Sequence, residues 1–214
     1  MREIRRKAVT VAIAVSVFGL SFGVLAAENG LSVAKAAALS LLVFAGGSQF
    51  AAVGLAGAGN QVAGVVTGLL LNSRLAAFGV LAAPLVSGPW WKRALGSQLV
   101  VDEPVVLALE HDDRATARAT FWFSGCLLFV CWNLVTVLGA AAGDVLGDPE
   151  RIGLDGAFPA VFVALLAPRL REPAARRVAI GGAAVALGLT PLVPAGLPVL
   201  LAALAVVLAG RRAP

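Results

Sequence analysis

Apolar residues fill most of this chain in stretches too long for strands and too uniform for surface helices. Six clear runs cover roughly residues 8–27, 61–82, 119–143, 152–168, 177–192 and 195–210. A seventh, about 31–59, is as long but interrupted. A helix crosses the hydrocarbon core of a bilayer with about 20 apolar residues, or fewer inside a bundle. Barrel strands would instead show alternation over about ten residues, and none is visible. The pattern predicts an all-α membrane protein: a polytopic helical bundle of about six full spans plus one broken or re-entrant helix, as a single membrane domain over residues 1–214.

Composition narrows the function classes. The chain is 59% apolar and 14% charged, against about 45–50% and about 25% in an ordinary globular domain. So few charges cannot coat a soluble protein, which excludes a soluble enzyme, a nucleic-acid binder and a disordered chain. The net charge of +5 then belongs to cytoplasmic loops, with no nucleic acid needed. The first run follows Arg2, Arg5, Arg6 and Lys7, as a signal peptide would, but at about 20 residues it reads as a retained span. Cys126 and Cys131 are the only cysteines and His111 the only histidine, so no structural metal site is expected.

The bases also set orientation. Fourteen of the 17 lie in residues 2–7, 84–118, 169–177 and the tail, while the linker 144–150 holds only acids. Both termini, 84–118 and 169–177 are therefore expected on the cytoplasmic side, and 144–150 outside. Parity conflicts with this if 31–59 and 61–82 each cross once. The conflict disappears if 31–59 enters and returns, and Phe44-Ala45-Gly46-Gly47-Ser48-Gln49-Phe50 offers a place to turn. Such a break is tolerated only where protein or a water-filled cavity satisfies the backbone. Two other readings stay open: one helix with a packing kink, or an extra crossing by residues 95–109.

Polar groups inside apolar runs are costly and so are candidates for function. Gly46, Gly47, Ser48 and Gln49 combine exposed backbone with an amide, a combination that could hold a carboxylate; alternatively Gln49 only bonds to a neighbouring helix. Asn72 and Arg74 interrupt the run 61–82. Asp102 and Glu103 stand together in an apolar stretch, as a buried proton or cation site or as acids of an interfacial helix. An Arg74–Asp102 ion pair would account for two expensive groups at once. Asp155 fits a helix cap or a coupling carboxylate. Asn133 and Thr136 are expected to bond helix to helix, and Trp90, Trp91 and Trp122 to form an aromatic belt. No catalytic motif, P-loop or cofactor signature occurs.

The segment Ser40–Ala52, with Phe44, Gly46, Gly47, Ser48, Gln49 and Phe50 at its heart, resembles the signature of the AzlC family, the large subunits of bacterial branched-chain amino acid exporters. The likeness continues at Asn72-Ser73-Arg74, at Asp102-Glu103 and at Gly153-Leu154-Asp155, in order, over about residues 15–208. Leu75 stands where the family pattern has histidine, Ser73 where it has an apolar residue, and Pro104 is atypical. The resemblance implies a secondary efflux subunit of the bacterial inner membrane without cofactor, working with a small AzlD-type membrane subunit. It places the substrate on Phe44, Gly46, Gly47, Ser48, Gln49, Phe50, Asn72 and Arg74. Coupling would fall to Asp102, Glu103 or Asp155. A non-transporting scaffold subunit and a small-solute channel are the alternatives.

Overall fold

The computed structural model describes residues 2–146 and 169–193, with positions 163, 167, 198, 201 and 202. All regular structure among the described residues is helical. Two long helices, α1 (Arg2–Glu28) and α8 (Arg114–Leu146), lie side by side and run the same way. Gly19 meets Trp132 and Val135, Gly23 meets Thr136 and Ala140, and Gly143 meets Ala27. A Cβ at Gly23 or Gly139 would strike backbone of the facing helix. Small residues bring backbones this close where packing, rather than the hydrophobic effect, drives association in lipid. Lys7 Nζ lies 2.9 Å from Glu110 Oε2, so α1 and α8 both start at what we term the basic end.

Between them the chain makes two hairpins from opposite ends. Leu31 N–H bonds to the Ala26 carbonyl (2.9 Å) at the far end, where Ser32 caps α2 (Val33–Leu42). The helix then stops. Residues 43–45 are extended or irregular, with Val43 at φ −116°, ψ 72° and Ala45 at φ −158°, ψ 92°. Helix α3 (Gly46–Gly57) returns to the far end, and its Gly57 abuts the Asn29 side chain. The break falls one to three residues ahead of the Gly-Gly pair, which opens α3 instead of forming the turn.

Asn60 caps α4 (Gln61–Asn72), which packs antiparallel on α3 through Gly64 against Ala52 and Ala56 and Gly68 against the Ser48 carbonyl. At Ser73, which keeps helical dihedrals (φ −56°, ψ −28°), the helix is interrupted for one residue and continues as α5 (Arg74–Ala82). The Ser73 hydroxyl donates to the Leu70 carbonyl (2.6 Å), a side-chain bond of the kind that bends helices. At the basic end Arg114 donates to the Pro84 carbonyl (3.1 Å) and Arg118 to Ser87 Oγ (2.9 Å).

The second hairpin was not expected. Helices α6 (Trp90–Gln98) and α7 (Asp102–Leu109) both have their outer ends at the basic end and break over residues 99–101. With eight or nine residues each, α6 and α7 span only about 12–14 Å apiece, so neither helix is long enough to cross a bilayer by itself.

Arg2–Glu28, Gln61–Ala82 and Arg114–Gly143 are the three described helices long and apolar enough to cross a membrane. Helix α9 (Pro173–Leu189) overlaps the run 177–192 and buries no residue among those described. The runs 152–168 and 195–210 lie almost wholly outside the described residues. One core cluster joins Phe22, Phe50, Val53, Leu128 and Trp132, and a second joins Leu85, Leu99, Val105 and Phe121. Outward positions such as Leu42, Val62, Leu69 and Val80 are exposed; in lipid this costs nothing.

Candidate functional site

The helix breaks converge on one chamber of about 620 Å³. Of the residues expected from the sequence, Phe44, Gly46, Gly47, Phe50, Arg74, Asp102 and Glu103 line it. The α3 end of the chamber is made of backbone. Ala45 provides no side-chain cap, and Gln49 N–H is the donor that reaches back to the Ala45 carbonyl (3.1 Å). The N–H groups of Gly46, Gly47 and Ser48 are thus the unpaired first-turn donors, carrying the positive end of the helix dipole. Glycine lets a ligand approach this backbone. At Gly46 it also makes room for Trp132, since an added Cβ would lie 2.8 Å from its ring. An added Cβ at Gly47 would lie 3.9 Å from Arg74 Nη2, so the guanidinium stands at the same helix end.

Acids stand on the other side of that guanidinium. Asp102 and Glu103 are the first two residues of α7, where a carboxylate is favoured by the helix dipole. Pro104 follows in the first turn, where its missing N–H deprives the helix of nothing. Arg74 Nη1 donates to Asp102 Oδ2 at 2.6 Å, joining α5 to α7. Arg74, the first residue of α5, thus stands beside the N-termini of both α3 and α7. Asp102 Oδ1 is buried without a partner. Phe44 packs edge-on against Phe129 (centroids 5.0 Å) and Phe50 against Phe22 (5.5 Å), so the aromatic walls are fixed from behind.

The other expected site residues lie apart. Ser48 is buried and its hydroxyl donates to the Ala45 carbonyl (2.8 Å). Gln49 is fully buried, and its amide reaches across the break to the Leu39 carbonyl (3.5 Å). Neither side chain lines the chamber. Asn72 is half-buried at the end of α4, and its Oδ1 has no partner. Asp155 lies outside the described residues. Thr136 bonds between helices as expected, accepting from Ser40 (3.5 Å) and donating to the Gly19 carbonyl (3.3 Å), whereas Asn133 bonds within its own helix. Among the described residues no group of three or more His, Cys, Asp or Glu could hold a metal ion.

Sequence reasoning missed Val15, Phe18 and Trp132, which complete the apolar lining. It also missed Gln98, whose amide donates to the Leu41 carbonyl at 2.7 Å and the Leu42 carbonyl at 3.5 Å. These are end carbonyls of α2 that have no partner in their own helix. Gln98 sits at the end of its own short helix, and that position was the available signal.

Broken helices that gather backbone dipoles and ionisable side chains in an apolar chamber define a transport-related α-helical membrane protein. The chain belongs to the AzlC family: the model of the AzlC protein family matches residues 10–146, the stretch holding all of the chamber's charged walls. It is 25% identical over 171 residues to an uncharacterized membrane protein of Helicobacter pylori (strain J99 / ATCC 700824), covering 78% of this chain and 75% of that protein. No solved structure matches it.

Proposed function

We propose that this chain is the large subunit of a secondary exporter that moves branched-chain or similar hydrophobic amino acids out across the bacterial inner membrane, with a small AzlD-type partner. The observation that carries this reading is the polarity of the chamber. A free α-amino acid is a zwitterion with an apolar side chain. Its carboxylate matches the α3 N-terminus and Arg74, its ammonium matches Asp102 and Glu103, and its side chain matches the apolar walls. Glu103 or Asp102 is the candidate carrier of a coupling proton. Ser48, Gln49 and Asn72 support the breaks that shape the site, and Asp155 keeps its place as a candidate coupling acid from its motif alone.

The topology we propose has six full spans, formed by α1, α4–α5, α8 and the runs 152–168, 177–192 and 195–210. Residues 33–57 turn back within the membrane. Both termini and the basic end face the cytoplasm. The return of Gly57 to Asn29, and the clustering of Lys7, Arg114 and Arg118 at one end, support that arrangement.

Leucine and valine efflux from loaded cells, with and without the small subunit, tests the reading. Arg74→Ala should slow efflux about tenfold or more, the equivalent of losing a charge-assisted contact of about 1.5–3 kcal/mol. Efflux at the wild-type rate from Arg74→Ala would reject the assignment of the carboxylate pole. Flux that neither saturates nor runs against a gradient would identify a channel.

A further inference from the structure

One hexapeptide occurs twice in this chain. Phe22-Gly23-Val24-Leu25-Ala26-Ala27 returns as Phe78-Gly79-Val80-Leu81-Ala82-Ala83, displaced by 56 residues. In a sequence so rich in small and aliphatic residues that coincidence carries little by itself. Its register in the fold carries more. The same displacement lays the end of α1 on α5 and α2 (Val33–Leu42) on α6 (Trp90–Gln98). It also lays Gly46, the first residue of α3, on Asp102, the first residue of α7. Both hairpins therefore break over three residues, 43–45 and 99–101, at matching positions. The chamber walls obey the spacing too: Val15 and Leu71, Phe18 and Arg74, and Gly46 and Asp102 all line it.

The two copies point in opposite directions. Helix α1 leaves the basic end, where Lys7 meets Glu110, and α4–α5 runs back to it, where Pro84 and Ser87 meet Arg114 and Arg118. Hairpin α2–α3 has both outer ends at the far end, beside Ala26 and Asn29. Hairpin α6–α7 has both at the basic end, since Ser87, just ahead of α6, meets Arg118, and Glu110, just after α7, meets Lys7. Repeats of inverted topology with a site between their discontinuous helices are the plan on which many secondary transporters alternate access.

We propose that residues 2–57 and 58–113 are inverted structural repeats whose broken hairpins, α2–α3 and α6–α7, are the two gates of the chamber and exchange conformations during transport. This rests on the transport reading above. One link joins the two gates in the state seen here, and another pins the α6–α7 gate to α5. The Gln98 amide at the second break holds the Leu41 and Leu42 carbonyls at the first, and Arg74 holds Asp102. Substrate carboxylate competes with Asp102 for Arg74, so occupancy loosens the second link. The copies differ where this chemistry lies, since the first offers bare backbone where the second has two acids.

Engineered metal bridges test the proposal in membrane vesicles carrying the full chain with its small partner. The background is Cys126→Ser/Cys131→Ser, and Leu75→Cys reports access to the chamber through an impermeant maleimide applied to right-side-out or inverted vesicles. His111 is the only native histidine, so Leu42→His/Gln98→His, or as a second lock Arg74→His/Asp102→His, gives a Ni²⁺ bridge that EDTA releases. We expect labelling from both faces without Ni²⁺, at least a tenfold loss from one face with it, and recovery with EDTA. One-sided labelling in the unbridged protein overturns the proposal. So does two-sided labelling that Ni²⁺ leaves unchanged, or Ni²⁺ binding by both pairs no tighter than by single histidines. Leucine efflux in the same vesicles separates the two readings. Alternating access without leucine movement removes the substrate and keeps the gates, whereas leucine efflux with Ni²⁺-insensitive labelling does the reverse.

Discussion

Gln49 and Arg74 attract notice in the sequence for one reason, a polar side chain inside an apolar run, yet the fold gives them different roles. Gln49 turns away from the chamber and ties α3 to α2, while Arg74 faces the chamber and an acid from another element. Spacing along a chain reports cost, and only packing reports direction. That is why Arg74 with Asp102 was legible as a pair of mutually compensating charges, whereas Trp132 and Phe18, ordinary apolar residues in ordinary spans, carried no signal. Outside the membrane, Asp113 shows what a single carboxylate does for an element. It accepts from the Thr116 hydroxyl (2.6 Å) and from the Thr116 (2.8 Å) and Ala115 (3.4 Å) backbone N–H groups at the start of α8. The Thr116 hydroxyl first, and those N–H groups after it, hold its carboxyl below the usual carboxylate range. A lowered folded-state pKa stabilises the fold above the ordinary value, and the benefit disappears as pH falls through the lowered one. Thermal unfolding in detergent should therefore show wild type losing its lead over Asp113→Asn as the buffer is acidified below the ordinary carboxylate range. A lead that is independent of pH would dissociate the cap from the stability of α8.

At the scale of elements, close approach of α1 and α8 decides where everything else sits. Gly23 and Gly139 face backbone across that contact, while Gly79 has open space around it. Gly139→Val should lower stability in detergent by about 1–3 kcal/mol or more, the cost of overpacking, while Gly79→Ala should be neutral or slightly stabilising because alanine is the better helix former. Equal midpoints for the two variants would mean that the contact does not form in the membrane. The break in the first hairpin could be read from the sequence to within three residues, because two glycines and two polar residues interrupt an apolar run there. The second could not, because Leu99-Val100-Val101 contains neither glycine nor polar residue. Its break depends on partners elsewhere, Leu41 for Gln98 and Arg74 for Asp102, which no local pattern displays.

At the scale of the whole molecule, the distribution of bases carried the most information. Lysine and arginine counts grouped the N-terminus with residues 84–118, and the fold brings Lys7 to Glu110 and Arg114 to Pro84 at one end. Cysteines at positions 60 and 88 should accordingly label from the periplasmic and cytoplasmic faces respectively, with at least a tenfold preference for the assigned side. Cytoplasmic labelling of residue 60 would show that 33–57 crosses. The internal repeat stayed hidden at this scale because one inverted copy carries charges where the other carries glycine and phenylalanine. Six identical residues are a faint trace of two-fold order.

In the proposed function the α3 end of the chamber recognises substrate by means of main-chain donors, and mutational scanning is nearly blind to such a surface. Alanine substitution leaves every N–H in place, so a scan would report Gly46 through Ser48 as dispensable or merely crowded. Proline is the informative replacement. At Gly47 it removes one donor in a first turn that tolerates its ring. Gly47→Pro should weaken leucine binding about tenfold with little change in folding, and Gly47→Ala should bind nearly as well as wild type. Equal binding by both variants would mean that the backbone at Gly47 does not hold the substrate.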